Sequence, residues 1–282
     1  MPLVTMKEIL DKARADKYAV GAFEFWSLDS AQAVVEAAEE LGCPAILQAG
    51  FIECEFAKGI KNLSEIARIV ANASSVPVAL HLDHAEDYDF ILSALDAGFT
   101  SVMIDASAMS FEDNVDLTKK VVEAARPCGV TVEAELGKLA GNEGNISVSE
   151  EDAAQTDPDE AKKFVELTGI DALAVAIGTA HGFYTFTPKL NISRLKMIAE
   201  KVNIPLVLHG GSGTPDDMVV EAVGNGIAKV NVCTEFVAAF GKQYIDTQNQ
   251  QGFKYSIPGL FGPSKEAGKA LVKSKMKLFG KI

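Results

Sequence analysis

Residues 19–49 read AVGAFEFWSLDSAQAVVEAAEELGCPAILQA, and the stretch holds one repeat of the chain's whole organisation. AVGAFEF (19–25) is a short apolar run with β-forming residues. SLDSAQAVVEAAEELG (27–42) places its apolar residues at helical spacing and ends on Gly42, as a helix C-cap does. PAILQA (44–49) is the next apolar run. Strand, helix, glycine, strand is the unit from which parallel sheets are built.

The unit recurs. Further apolar runs are PVALHLD (77–83), SVMIDAS (101–107), VTVEAELG (130–137), ALAVAIG (172–178), PLVLHGG (205–211) and AKVNVCTE (228–235). Between them lie LSEIARIVANASS, FEDNVDLTKKVVEAA, PDEAKKFVELTG and ISRLKMIAEKVN, each with helical period. Nearly continuous apolar strands are buried on both faces, so the sheet is parallel and covered by helices. Eight units predict a single (β/α)8 barrel domain over residues 1–282. The alternative is a doubly wound open sheet, which lacks its Gly-x-Gly-x-x-Gly signature after the first strand. FVAAFGKQYIDTQNQ follows the eighth strand as a helix, and Ser264–Lys281 forms an extra C-terminal one.

Composition narrows the function classes. The chain has 26 Lys and Arg against 39 Asp and Glu, a net charge of −13, and a pI near 4.8. That balance argues against nucleic acid or an anionic membrane as partner. A small anionic substrate remains compatible, because backbone N–H groups hold phosphate inside an acidic protein. Cys43, Cys54, Cys128 and Cys233 form no Cys-x-x-Cys pair. Scattered thiols, a charged N-terminus and no long apolar run predict a soluble, cytoplasmic protein.

In a (β/α)8 barrel the chemistry sits at the C-terminal ends of the strands. The four histidines, His81, His84, His181 and His209, all fall at the ends of strands three, six and seven. A single histidine there is more often a hydrogen-bonded structural group; three from different strands on one rim point to a metal. Three imidazoles with open further positions suit catalytic zinc, and other divalent metals share the preference. Side chains alternate along a strand. His81 and Asp83 therefore share a face, and His84 is expected just past the strand end, turned over the mouth. His84, His181 and His209 are the expected ligands, with His81 lower in the barrel. Asp83, beside a ligand, is placed as general acid/base; the alternative is a carboxylate that orients a histidine. Asp105 fits that supporting role better, and Glu135 either supports a ligand or serves a second cation.

HGGSGTPDDM (209–218) sets Gly210, Gly211 and Ser212 in a tight turn before a helix, and AKVNVCTEF sets Asn231 and Thr234 at the end of strand eight. Loops after strands seven and eight recurrently form barrel phosphate sites, although a glycine turn alone need only be a tight connection. The long segment 139–156 carries Glu143 in AGNEGN. A mobile carboxylate closing over substrate would move a proton at a carbon beside a carbonyl; an exposed loop glutamate is otherwise merely solvated.

HLDH (81–84), SVMIDAS, VEAELG, DALAVAIGTAHGFY (171–184), PLVLHGGSG (205–213) and KVNVCTE (229–235) together resemble the class II, zinc-dependent ketose-bisphosphate aldolases, closest to the tagatose- and fructose-bisphosphate branch. The resemblance runs from about residue 5 to the C-terminal helix. It implies a (β/α)8 barrel, a homo-oligomer, one catalytic Zn2+ per subunit, a monovalent cation, and reversible cleavage of a ketose phosphate to dihydroxyacetone phosphate and an aldehyde. By motif, Asp83 is the acid/base on the C4 hydroxyl, and His84, His181 and His209 hold zinc. Gly182, Gly210, Gly211, Ser212, Asn231, Val232, Cys233 and Thr234 hold dihydroxyacetone phosphate. Glu143 exchanges the proton on the enediolate carbon, and Glu135 lies near the further cation. Lys229 is the rival Schiff-base nucleophile, but it starts its strand rather than ending it. A barrel metallohydrolase and a non-catalytic sugar-phosphate binding protein are the competing classes.

The chain departs from the resemblance at one end of the substrate. Glu24 stands where relatives often carry Asn, with Trp26 nearby, and Ala49 and Gly50 stand where many carry Ser. Thr185, Phe186 and Thr187 follow Tyr184 where many have Lys, and no basic residue for a C6 phosphate is evident near the C-terminus except Lys254. A carboxylate at Glu24 repels a second phosphate. The expectation is that the dihydroxyacetone phosphate half is kept and the aldehyde half has changed. The alternative is that Glu24 pairs with a cation and a bisphosphate still binds.

Overall fold

The structure is a computed structural model that describes residues 2–138, 154–180, 182, 188–251 and 256–280, with the backbone of 141–143 and 146–148. Eight parallel strands close into a barrel: β1 Val20–Glu24, β2 Ala45–Ala49, β3 Val78–Ala85, β4 Ser101–Ile104, β5 Thr131–Leu136, β6 Ala172–Val175, β7 Leu206–Leu208 and β8 Ile227–Val232. Each strand pairs with its sequence neighbours, and β1 pairs with β8 to close the ring. Residues 141–143 and 146–148 form a short antiparallel ribbon in the long β5–β6 connection. The expected C-terminal helices are Thr234–Gln251 and Ile257–Gly280.

The local chemistry explains the repeat. Gly42 ends the helix Leu28–Leu41 at φ +66°, and its N–H donates to the carbonyls of Ala38 and Glu39. A side chain is disfavoured in that left-handed conformation, so glycine stops the helix cheaply. Strand parity then sorts the core. Outward residues such as Phe23, Leu47, Leu80, Val102 and Leu173 meet the surrounding helices. Inward ones such as Ala22, Ala79, Ala172, Ala174 and Ala228 are small, because the barrel axis has little room. The helix Met6–Asp16 plugs the N-terminal end with Met6, Ile9, Leu10 and Ala13.

Farther up the barrel the inward positions turn polar. Gln48, His81, Ser101, Glu133 and Lys229 are wholly buried. Above them Asp83, Glu135 and Asn231 follow on the same strand faces, two residues along, and Glu24 of β1 stands in register with Gln48.

Candidate active site

The polar floor is an ion-pair network. Lys229 Nζ lies 2.9 and 3.1 Å from the two Glu133 oxygens and 3.2 Å from His81 Nε2. Ser101 Oγ is 2.8 Å from His81 Nδ1. Burial opposes ionisation of Glu133, but Lys229, His209 and His81 outweigh it and hold its carboxyl down at about 2. His81 thus belongs to the barrel floor. Lys229 is the third residue of β8, not its first as expected, and its ammonium is taken up by Glu133 in the barrel floor.

His84 differs from the expected placement. It lies within β3, not past its end, at φ +43°. The β3–β4 register advances from Leu82↔Val102 to Ala85↔Ile104, so β3 carries one extra residue. That bulge breaks the strict alternation and turns His84 to the mouth beside Asp83. Asp105, just past β4, accepts a 2.7 Å hydrogen bond from His84 Nδ1. His209, just past β7, has Nε2 at 2.9 Å from Glu133 Oε1. Each ring therefore has one nitrogen held by a carboxylate, and the other nitrogens, His84 Nε2 and His209 Nδ1, converge at 2.7 Å. Burial works against charge on His84, but Asp83, Asp105 and Glu135 override it and lift the ring to about 10. Burial and the neighbouring His84 push His209 down.

This donor set fits a divalent cation. His84 Nε2 and His209 Nδ1 point to one place, while carboxylates behind both rings fix their orientation, as imidazole ligands of a metal require. Glu135 Oε2 is buried, lacks a hydrogen-bond partner among the described residues, and lies 3.8 Å from His209 Nδ1. Asp83, His84 and His209 offer atoms within 4.8 Å of one another, as do His84, Asp105 and Glu135. His181, the third expected histidine, lies outside the described residues.

Asp83 completes this side. Its carboxylate accepts from Asn231 Nδ2 at 3.1 and 3.2 Å and from Gln48 Nε2 at 3.1 Å. Burial alone would raise its pKa; His84, His81, Lys229 and His209 hold it well below the ordinary aspartate range. It is an ionised base at neutral pH.

The turn after β7 is built for close approach. Gly210 and Gly213 adopt φ +68° and +75°. A Cβ on Gly211 would meet the Asn231 carbonyl oxygen at 2.6 Å. The Gly211 N–H donates to that same oxygen, which ties the turn to β8. Cys233 and Thr234 line the adjoining cavity together with Gly182. Val232 is buried in the outer core, so only its backbone is positioned for a ligand. Glu143 has a described backbone only, and its side chain, like Tyr184–Thr187 and Lys254, lies outside the described residues.

The cavity above His84 and Asp83 has a volume of about 600 Å³ and extends across β1 and β2. Glu24 is on its wall and 4 % exposed. Its carboxyl accepts from Gln48 Nε2 at 2.9 Å and from the Gly50 N–H at 2.9 Å. Glu53 accepts from the same N–H at 3.0 Å. Burial, then Glu53 and Asp83, raise Glu24 well above the ordinary carboxylate value. Glu86, Asp87 and Asp89 add to the acidic lining, Phe51, Ile52 and Phe90 supply apolar faces, and no Lys or Arg joins them among the described residues. Trp26 is not part of this wall. It packs on Phe236 and Phe240 with ring centroids 5.5 and 5.2 Å away.

The sequence reading missed Gln48, Glu53, Glu133 and the pairing of Lys229 with Glu133. Three of these carried a signal: a polar residue at an inward position of a strand read as continuously apolar. Glu53 carried none, since its role depends on the turn of chain at Gly50.

No helix among the described residues is long and apolar enough to cross a membrane. The sequence profile described as Fructose-bisphosphate aldolase class-II matches residues 4–282. A fructose-bisphosphate aldolase of Thermus caldophilus is 44% identical, covering 99% of both chains. One from Staphylococcus aureus (strain Mu50 / ATCC 700699) is 42% identical over 99% of this chain and 98% of its own. The crystal structure of the YdjI aldolase from Escherichia coli K12 superposes with a TM-score of 0.87 at 36% identity, covering 99% of this chain and 97% of that one.

Proposed function

The chain belongs to the class II fructose-bisphosphate aldolase family, lyases for reversible cleavage of a ketose (bis)phosphate, and from that premise we propose a narrower reaction: cleavage of a ketose 1-phosphate to dihydroxyacetone phosphate and an aldehyde whose far end carries no phosphate. The family makes the protein a lyase acting on a sugar phosphate with a divalent metal. That sets aside the metallohydrolase and binding-protein readings. Zinc is the proposed metal, held by His84, His209 and His181. When bound it supplies Lewis-acid polarisation of the substrate carbonyl.

The residues of the chain supply the proton movements. Asp83 takes the proton of the C4 hydroxyl as the C3–C4 bond breaks. Asn231 and Gln48 aim its carboxylate, and the cationic surroundings keep it ionised and ready as base. Asp105 and Glu133 hold the two histidine rings in register. Glu143 is the proposed group that returns a proton to the C3 carbon, and Glu135 the proposed carboxylate beside a further, monovalent cation. The turn Gly210–Ser212 and the end of β8, Asn231–Thr234, take the phosphate of dihydroxyacetone phosphate. The resemblance also favours a homo-oligomer, which sedimentation measures directly.

The observation that carries the aldehyde-half reading is the acidic wall around Glu24, where Glu53, Glu86, Asp87 and Asp89 line the cavity with no Lys or Arg beside them among the described residues. A phosphate placed on this wall would meet Glu24 and Glu53 around one N–H, with Asp83 behind Gln48. In a partly desolvated pocket such like charges repel strongly. Uncharged hydroxyl groups find both donors and acceptors there. The test compares cleavage of fructose 1-phosphate with fructose 1,6-bisphosphate by the zinc-loaded enzyme. The expected result is kcat/KM at least about tenfold higher for the monophosphate. A strong preference for the bisphosphate overturns the reading and leaves the aldolase assignment intact.

A further inference from the structure

We infer that Lys275, on the C-terminal helix, is a positioning residue for the phosphate end of the substrate. It neutralises Glu235 beneath the glycine turn and keeps that carboxylate on the turn's backbone. The inference rests on the reading that this turn takes phosphate.

Lys275 is only 8 % exposed, unusual burial for a lysine outside the barrel network. Its Nζ lies 2.7 Å from Glu235 Oε2 and 3.8 Å from Asp216 Oδ1. These two acids flank the glycine turn. Asp216 begins the helix that follows it. Glu235 grips the turn itself: its Oε1 accepts from the Gly213 N–H at 3.0 Å, and its own N–H donates to Ser212 Oγ at 3.3 Å. Gly213 sits at φ +75°, so the turn is shaped by backbone freedom and needs an external hold.

The charge balance gives the arrangement a purpose. Glu235 immediately follows Thr234, the last residue assigned to the phosphate. A lone carboxylate there repels an incoming phosphate dianion. Paired with Lys275, it still fastens Gly213 while its charge is cancelled. The C-terminal helix, remote from the reacting carbons, thereby sets how well the turn receives phosphate.

The experiment uses the zinc-loaded, full-length enzyme and reads KM for dihydroxyacetone phosphate in the condensation direction, with inorganic phosphate as a competitive probe. Lys275→Met is expected to raise both KM and the phosphate inhibition constant about tenfold, with kcat changed less than about threefold. Lys275→Arg keeps the charge and stays within about threefold of the parent on both. Glu235→Gln added to Lys275→Met removes the uncompensated carboxylate and brings KM back to within about threefold; this double variant also serves if the single one fails to fold. If phosphate competes in the parent enzyme but Lys275→Met leaves both constants unchanged, or lowers only thermal stability, the role given to Lys275 is wrong. If phosphate does not compete with dihydroxyacetone phosphate in the parent enzyme, the phosphate turn itself is wrong and the inference falls with it.

Discussion

On the β3–β8 side of the barrel mouth, opposite charges face one another. Asp105 sits against His84, and Glu133 against His209 and Lys229. On the β1–β2 side, carboxyls crowd together: Glu24 and Glu53 share one N–H, and a single Gln48 amide bridges Glu24 to Asp83. The first wall backs each imidazole with a carboxylate and turns their other nitrogens toward one point. The second is unbalanced, and it relieves the imbalance by raising the pKa of Glu24 rather than by recruiting a base. On the proposed reading, the first wall serves the reaction and the second chooses the aldehyde.

The comparison breaks most severely if the balanced wall is dispensable. His209→Ala removes one converging nitrogen and leaves Glu133 with Lys229 as its hydrogen-bond partner. Both zinc content, by elemental analysis, and turnover should fall to background, and chelation of the parent enzyme should do the same. Retained activity with no bound metal would refute the assignment. Asp83→Ala should keep the metal yet lower kcat by about 10²–10⁴-fold. Loss of metal in parallel would instead make Asp83 a ligand.

Lys229→Met tests the floor. Removing one partner of a buried pair strands Glu133 without its cation, which costs about 3–5 kcal/mol. Urea unfolding should show that loss, whereas Lys12→Met at an exposed pair should leave the unfolding midpoint nearly unchanged.

Smaller effects sharpen the acidic wall. Glu53→Gln should raise kcat/KM for fructose 1,6-bisphosphate relative to fructose 1-phosphate by about tenfold, since it removes one like charge from the wall. Glu24, which holds its proton, has a pH signature instead. The folded chain binds the Glu24 proton more tightly than the unfolded chain, whose glutamates titrate near ~4.3. Stability therefore falls as pH rises from there through the raised folded value. Glu24→Gln abolishes that loss. The variant's melting temperature should gain on the parent's between pH 5 and pH 8, by roughly 2 °C for ~1 kcal/mol. A gap that does not change with pH would show that Glu24 ionises normally.

Much of the fold was legible because its code is local. Apolar runs, helical period and terminal glycines specify each β/α unit without reference to distant residues, and eight units close in only a few ways. The site was legible to the extent that the strand-end rule applies: Asp83 and Asn231 lie near the tops of inward-facing columns, and His209 just past β7 meets His84 at the same mouth. Strand alternation failed at His84, where the bulge between Leu82 and Ala85 reset the parity. It is a pairing feature of β3 with β4, invisible within β3 alone. Trp26 was misplaced for a related reason. Its proximity to Glu24 in sequence says nothing of Phe236 and Phe240, which claim it.

The sequence by itself determined the repeat, the barrel, and which residue types stand at its rim, because periodicity and strand-end position are properties of one chain segment at a time. Only the tertiary structure decided which partner each charge meets. Lys229 and Glu133 are 96 residues apart, Glu24 and Gln48 24 apart, and Asp83 and Asn231 148 apart. Coulomb forces and hydrogen bonds act across a few ångströms of space, and closing the barrel is what brings those separations within reach.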